Sequence, residues 1–180
     1  MKISIILPAQ VNTDYMEKIL PYLKANVSSD QLEEIIIIKG FEDGNLVKLA
    51  EKAHAKLYLF KNSNHKLKAE AGAFEAKGEI LYFIKPGYFP PKDFAERIIR
   101  AVKLKNELGS LYHPRIARIC KFCNLVWMDR MVIFFLPMTN FFIRKNIFHL
   151  SGGLKYEGKT SSFHEFIQKS QFKSTLGLVQ

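Results

Sequence analysis

Cysteine is scarce in this chain, acidic residues are outnumbered, and no apolar run is long enough to cross a bilayer. The two cysteines among 180 residues, Cys120 and Cys123, form a single Cys-x-x-Cys. Structural zinc takes four ligands, and neither a second pair nor a nearby histidine pair completes such a set. At helical spacing the two share one face and are expected to be reduced, packed thiols. The longest apolar stretch, Met131 to Leu136 and on to Phe141-Phe142-Ile143, is broken by Pro137, Thr139 and Asn140. It falls short of the roughly 20 residues that a span needs and is expected in the core. Repeats and low-complexity tracts are also missing. The opening run Ile3 to Leu7 is too short for a signal peptide and has no small-residue cleavage site, so a cytoplasmic location is expected, with peripheral contact to the inner face of the membrane left open.

Acid is outnumbered 17 to 27 by Lys and Arg, a formal charge of +10, which favours anionic partners or simply keeps the protein soluble. A hydrophobic fraction of 48% with 24% charged residues is ordinary for a globular chain of one domain.

Lys2 to Pro8 is nearly all apolar, as in a strand buried on both faces of a parallel sheet. Met16, Ile19, Leu20 and Leu23 recur at helical spacing after Asp14, predicting a helix over 15–25. Glu34 to Ile38 is a second buried strand, with Gly40 and Asp43-Gly44 as the turn after it. A helix over 45–54, a strand over 56–60 and a polar loop over 61–66 follow. Residues 69–77 read as a small-residue helix closed by Gly78 in the left-handed C′ role. A strand over 79–84 is broken at Lys85-Pro86-Gly87, and an amphipathic helix spans 93–105. Beyond it, 115–130 reads as a basic helix, 141–143 as a strand, 146–150 as one helical turn, 157–160 as a loop and 164–170 as a last helix. Alternating strands and helices imply βαβ units, hence a single α/β domain with a mostly parallel central sheet flanked by helices. Ligands of such sheets bind beyond the carboxyl ends of the strands, which directs attention to the loops after Leu7, Ile38, Phe60 and Ile84.

The order of segments then resembles the inverting family-two glycosyltransferases of the GT-A fold. The likeness is carried by Ile3-Ser4-Ile5-Ile6-Leu7-Pro8, by Glu34 to Ile38 with its glycine-rich turn, and by Ala71-Gly72-Ala73-Phe74-Glu75-Ala76-Lys77-Gly78-Glu79-Ile80. Phe142-Ile143-Arg144-Lys145-Asn146-Ile147-Phe148 with Gly152-Gly153-Leu154 is similar to that family's late strand, its arginine-arginine-x-valine-phenylalanine turn and its closing Gly-Gly-Phe. The resemblance covers nearly the whole of 1–180. It implies a nucleotide-binding-like half over 1–105 and an acceptor-side half over 106–180.

Position by position, the resemblance also exposes losses. Where the family has a base-binding Asp after strand two, this chain has Lys39. Where the family's Asp-x-Asp holds a divalent cation, it has Lys85 and Gly87 around Pro86. A lysine has no acceptor and carries positive charge, so it cannot ligate Mg²⁺ or Mn²⁺. No cofactor and no divalent cation are expected. The family's catalytic carboxylate falls at Ser162-Phe163, neither of which is a base near neutral pH. Glu157, His164 and Glu165 are the alternatives, although His164 and Glu165 also suit a helix cap and a solvated face.

The expected function is a glycosyltransferase-like protein without metal-dependent catalysis that keeps a ligand- or partner-binding role. Pro8, Lys39, Lys66, Lys68, Lys85 and Arg144 are the candidate ligand-binding residues, the cations forming a mouth for a phosphate-bearing or nucleotide-sugar ligand. Solvation of the loop ends is the plainer account of the same lysines. Two other readings stand: a metal-independent transferase that uses basic residues, and a surface module. In the second, Arg115, Arg118, Lys121 and Arg130 among Ile116, Ile119, Phe122 and Trp127 would meet an anionic membrane, the sheet or a second subunit. No nucleic-acid-binding signature is present, and nucleic acid is not an expected partner.

Overall fold

Five of the six residues of the strand β1 (Ile3–Pro8) are apolar and have to be covered on both faces, and the strand is buried throughout in the interior of the sheet. The structure is a computed structural model that describes residues 1–9, 13–41, 43–61, 65–111, 140–150, 152–153, 156–157, 160–161 and 176–179. After β1 come α1 (Thr13–Ala25), β2 (Leu32–Lys39), α2 (Gly44–Lys52), β3 (Lys56–Leu59), α3 (His65–Glu75), β4 (Ile80–Phe83) and α4 (Phe94–Lys103). The chain continues through β5 (Leu108–Leu111), β6 (Phe141–Arg144), α5 (Lys145–Leu150), the short β7 (Tyr156–Glu157) and β8 (Thr160–Ser161), and β9 (Leu176–Val179).

These form one α/β domain around a seven-stranded sheet of order β3-β2-β1-β4-β6-β5-β9, with β7 and β8 as a separate antiparallel pair. The left side is parallel, as expected: β1 pairs with β2 in the register Ile5 to Ile35 and with β4 in the register Ile5 to Tyr82. At β6 the direction reverses. Ile80 faces Arg144 and Phe83 faces Phe141, an antiparallel register that puts Arg144 beside the amino end of β4.

Strand alternation sends side chains to two cores. Ile3, Ile5, Leu7, Ile35, Ile37, Ile80 and Tyr82 meet α1, α2 and α4 on one face. Ile6, Ile36, Ile38, Leu81 and Phe83 meet α3 and α5 on the other. The α3 face is built for close approach. A Cβ on Gly72 would lie 2.5 Å from the Ile38 Cδ1 atom, so the small residues Ala69, Gly72, Ala73 and Ala76 let the helix sit down on β1 and β2.

Several boundaries differ from the sequence expectation. Asp43 ends the turn after β2 as the N-cap of α2, accepting from the N–H of Asn45 at 3.1 Å and of Leu46 at 3.3 Å. α3 starts at His65, inside the segment expected as a loop. Gly78 is not among the glycines with positive φ, so it is no left-handed cap. Its role is steric: a Cβ there would stand 2.7 Å from both the Ser4 backbone nitrogen and its Oγ. The short strands β5 and β9 and the β7–β8 pair, where a loop was expected, were missed. The helices expected over 115–130 and 164–170 lie outside the described residues, as do Cys120 and Cys123.

One core group is left without a partner among the described residues. Tyr82 is fully buried, its ring stacked on Phe94 at 5.5 Å, and its hydroxyl makes no hydrogen bond to any of them. Burial pushes that hydroxyl well above the ordinary tyrosine value. Desolvating an unpaired hydroxyl costs more than its volume returns, so Tyr82→Phe is expected to stabilise the protein by about 1 kcal/mol. Urea denaturation checks it; an unchanged or lower midpoint means that the hydroxyl has a partner in solution.

Candidate functional site

Because β1, β2, β3 and β4 are parallel, their carboxyl ends share one rim, and β6, being antiparallel to β4, begins there. Pro8 and Ala9 leave β1 at this rim, both buried, and the Ala9 N–H bonds the Ile38 carbonyl at 2.8 Å. Lys39 ends β2 and is only 2% exposed, an unusual place for an ammonium. It is accommodated because its Nζ pairs with the Asp43 carboxylate four residues on, across the turn, and lies 4.5 Å from the centre of the Phe41 ring. The Lys39 ammonium, with the two helix N–H groups, holds the Asp43 carboxyl below the ordinary carboxylate range. Both Asp43 oxygens are thereby engaged, one by Lys39 and one by the start of α2.

Beyond β4 the chain turns sharply. Tyr88 N–H bonds the Lys85 carbonyl at 3.2 Å, with Pro86 and Gly87 between them and Gly87 at φ +85°. Proline followed by a positive-φ glycine is the type II turn, a backbone requirement that accounts for both residues without any ligand. The Lys85 N–H is held by the Asn140 side-chain oxygen at 2.7 Å, tying the turn to the start of β6, while the Lys85 side chain is exposed.

The turn is then fastened to α1. Tyr15 donates to the Tyr88 carbonyl at 2.7 Å and Tyr22 to the Pro90 carbonyl at 2.5 Å, and the Phe89 ring packs edge-on against Tyr15 and Tyr22 at 5.6 and 5.3 Å. Burial pushes the hydroxyls of Tyr15, Tyr22 and Tyr88 above the ordinary tyrosine value, so they stay protonated donors. Among the aromatic side chains of the rim loops, Tyr88 packs on the core beneath α1 and α4, Phe89 leans on α1, and Phe41 is 53% exposed over Lys39.

Of the six candidate ligand residues, the structure brings Pro8, Lys39 and Lys85 to the rim. Lys68 is buried on α3, which starts from the rim side of the sheet; the Lys66 side chain lies outside the described residues. Arg144 is not at the mouth. At about 3.3 Å per strand residue, its pairing with Ile80 puts it roughly 15 Å from Lys85, at the opposite end of β4. Ser162, Phe163, His164 and Glu165 lie outside the described residues.

The described residues of the rim do not fit a divalent cation. At the end of β4 stand a lysine and a positive-φ glycine, the Asp43 carboxylate is taken up by Lys39 and its own helix, and no grouping of three or more His, Cys, Asp or Glu able to hold a metal occurs among the described residues. Nor, among them, is any helix long and apolar enough to cross a membrane. Sequence reasoning missed Asp43 as the Lys39 partner, although the four-residue spacing was there to find it.

No protein-family model matches the chain, and no curated protein sequence does. Solved structures do. S. aureus TarS residues 1–349 in complex with UDP-GlcNAc superposes with a TM-score of 0.70 at 13% identity, over 99% of this chain and 56% of that one. Mannosyltransferase PcManGT from Pyrobaculum calidifontis, in complex with GDP-Man and Mn²⁺, gives 0.60 at 12% identity, over 86% and 47%. Glucosyl-3-phosphoglycerate synthase from Mycobacterium tuberculosis, with Mn²⁺, UDP and glucosyl-3-phosphoglycerate, gives 0.58 at 13%, over 81% and 57%. The chain thus spans about half the length of the structures it matches. At such identities the likeness establishes architecture: the fold is that of the GT-A glycosyltransferases.

Proposed function

We propose that this chain is a GT-A domain that has given up metal-dependent sugar transfer and keeps a binding role for a nucleotide or other phosphate-bearing ligand. The observation that carries the reading is the rim itself. Lys39 and the Lys85-Pro86-Gly87 turn occupy the places where a metal- and base-binding plan would need carboxylates, and Asp43 is neutralised by Lys39. A reaction that relies on a cation to stabilise a departing diphosphate finds nothing among the described residues of this rim to hold that cation. The UDP, UDP-GlcNAc and GDP-Man bound by the structural neighbours supply the ligand class. Lys85, exposed and free of an ion pair among the described residues, is the cation left to meet a phosphate; Lys39 is structural.

The test is a donor screen with UDP- and GDP-sugars, run once with Mn²⁺ and once with EDTA, beside a titration of UDP. Expected is no transfer in either arm, and UDP binding that weakens about tenfold, or about 1.4 kcal/mol, in Lys85→Ala. Turnover that needs Mn²⁺ overturns the proposal. Turnover that survives EDTA replaces it with a transferase using basic residues. Absence of binding by UDP, GDP and inorganic polyphosphate removes the ligand role.

A further inference from the structure

A second lysine is buried near the rim, on the face of the sheet opposite Lys39. Lys39 follows Ile35 and Ile37 in the alternation of β2 and so lies on the face covered by α1 and α2. Lys68, the fourth residue of α3, is 7% exposed. α3 runs against the strands it covers, because the N–H groups of Lys77 and Gly78, past its carboxyl end, bond Glu34 and Ser4 near the starts of β2 and β1. Its amino end therefore lies over the carboxyl ends of those strands. Gly72 sits against Ile38 and Ile6, and Lys68, one turn or about 6 Å earlier, comes level with the end of β2 and with Pro8, which shares the face of Ile6.

Burying a lysine stem is ordinary, but leaving the ammonium without a partner is costly. Lys39 shows the usual remedy, a carboxylate and an aromatic ring. Lys68 makes neither an ion pair nor a hydrogen bond among the described residues. The next acid along the helix, Glu70, is turned to Gly153 beyond α5. Among the described residues, the sealed polar atoms that lack a bond are the Tyr82 hydroxyl and Arg144 Nε. The Lys68 ammonium is not one of them, so it keeps an opening to solvent while its stem is covered.

Helical side chains lean toward the amino end, which carries Lys68 back over the first turn of α3. There a helix offers N–H groups with no partner inside it and the positive end of its dipole. That dipole disfavours cations, yet the first turn holds His65, Lys66 and Lys68 and no acid. The N–H groups, the dipole and the covered ammonium all favour the same occupant, an anion at the mouth of a low-dielectric recess.

We infer that the first turn of α3 and Lys68 form a diphosphate subsite on the α3 side of the rim, where helix N–H groups and an ammonium take the load a divalent cation would carry. The inference rests on the proposed binding role and adds to Lys85 a second cation. Free diphosphate and a nucleoside diphosphate present the same chemistry to it.

The experiment is a ³¹P NMR titration of the full chain with inorganic pyrophosphate and, separately, with UDP, both in EDTA at constant ionic strength. Saturable pyrophosphate binding is expected, weakened about tenfold or more in Lys68→Met and within about threefold of wild type in Lys68→Arg. Methionine keeps the covered stem and loses the charge, so Lys68→Met is expected to fold; Lys68→Gln decides should it not. Pyrophosphate is also expected to raise the thermal midpoint of the wild type and not that of Lys68→Met. Wild-type affinity in Lys68→Met together with weakened binding in Lys85→Ala overturns this inference and leaves the rim reading standing. Pyrophosphate binding that needs Lys68, without any binding of UDP, sustains the subsite and removes the nucleotide from the rim reading. Absence of saturable pyrophosphate binding in the wild type overturns the subsite whatever UDP does.

Discussion

Replacing Glu34 by alanine is expected to destabilise the protein by about 3 kcal/mol, lowering the midpoint of thermal unfolding by about 10 °C. Glu34 is 7% exposed on the α3 face of β2, and its carboxylate ties three segments together. It accepts from Ser4 Oγ at 2.9 Å on β1, from the Lys77 N–H at 2.5 Å just past α3, and from Lys56 Nζ at 2.5 Å on β3. Ser4 Oγ in turn accepts the Gly78 N–H at 2.8 Å. Truncation leaves these donors without their acceptor, and that loss dominates the small gain from freeing Lys56, whose side chain is 41% exposed.

The same node sets an acid limit. Burial pushes the Glu34 carboxyl up, and the bonds from Lys56, Lys77 and Ser4 outweigh it, so the folded value lies below the ordinary 4.5. The carboxylate's contribution is therefore complete above pH 4.5 and is lost as pH falls through the lower, folded value. Stability curves of wild type and Glu34→Ala measured by urea at falling pH should converge below that point. Parallel curves would show that the carboxylate is not what binds these segments.

A second large effect is expected at Gly78, where alanine should cost about 3 kcal/mol. In an open position Gly→Ala gains about 0.4–1 kcal/mol by restricting the unfolded chain. At Gly78 the new Cβ would meet the Ser4 nitrogen and Oγ at 2.7 Å and the Lys2 carbonyl at 3.0 Å. Two of these three atoms are backbone, one in β1 and one just before it, and cannot step aside. Gly44, with nothing within 4 Å of its added Cβ, is the control and should be neutral or slightly stabilised by the same change. Equal denaturation midpoints for Gly78→Ala and Gly44→Ala would refute the steric account.

The parallel half of the fold was legible because its strands are buried on both faces, and a run as apolar as Ile35 to Ile38 in β2 or Ile5 to Leu7 in β1 is hard to place anywhere but the middle of a covered sheet. The helices α1, α2 and α4 were legible from spacing, since each buries one stripe. Four-residue strands such as Leu-Gly-Ser-Leu in β5 carry too few alternations to announce themselves. Strand direction was the more consequential omission. Nothing local in Phe141 to Arg144 says that β6 runs against β4, and without that reversal Arg144 was placed at the wrong end of the sheet. At the rim, the positions of Lys39 and Lys85 at the strand ends could be read directly, whereas the pairing of Lys39 with Asp43 required the folded turn. Ser4 and Glu34, polar residues inside apolar runs, were the unread signal of the buried node.

The fastening of residues 88–90 onto α1 by two tyrosine hydroxyls and one phenylalanine ring fixes what an arriving molecule would encounter. Anchored at both carbonyls and braced by an aromatic wedge, this sill is already in its final shape before anything docks. Association there would forgo the entropy penalty of ordering a floppy flap, and also the ability of such a flap to fold over and seal out water. Under the proposed binding role, a threshold braced in this way would hold a guest at little ordering cost.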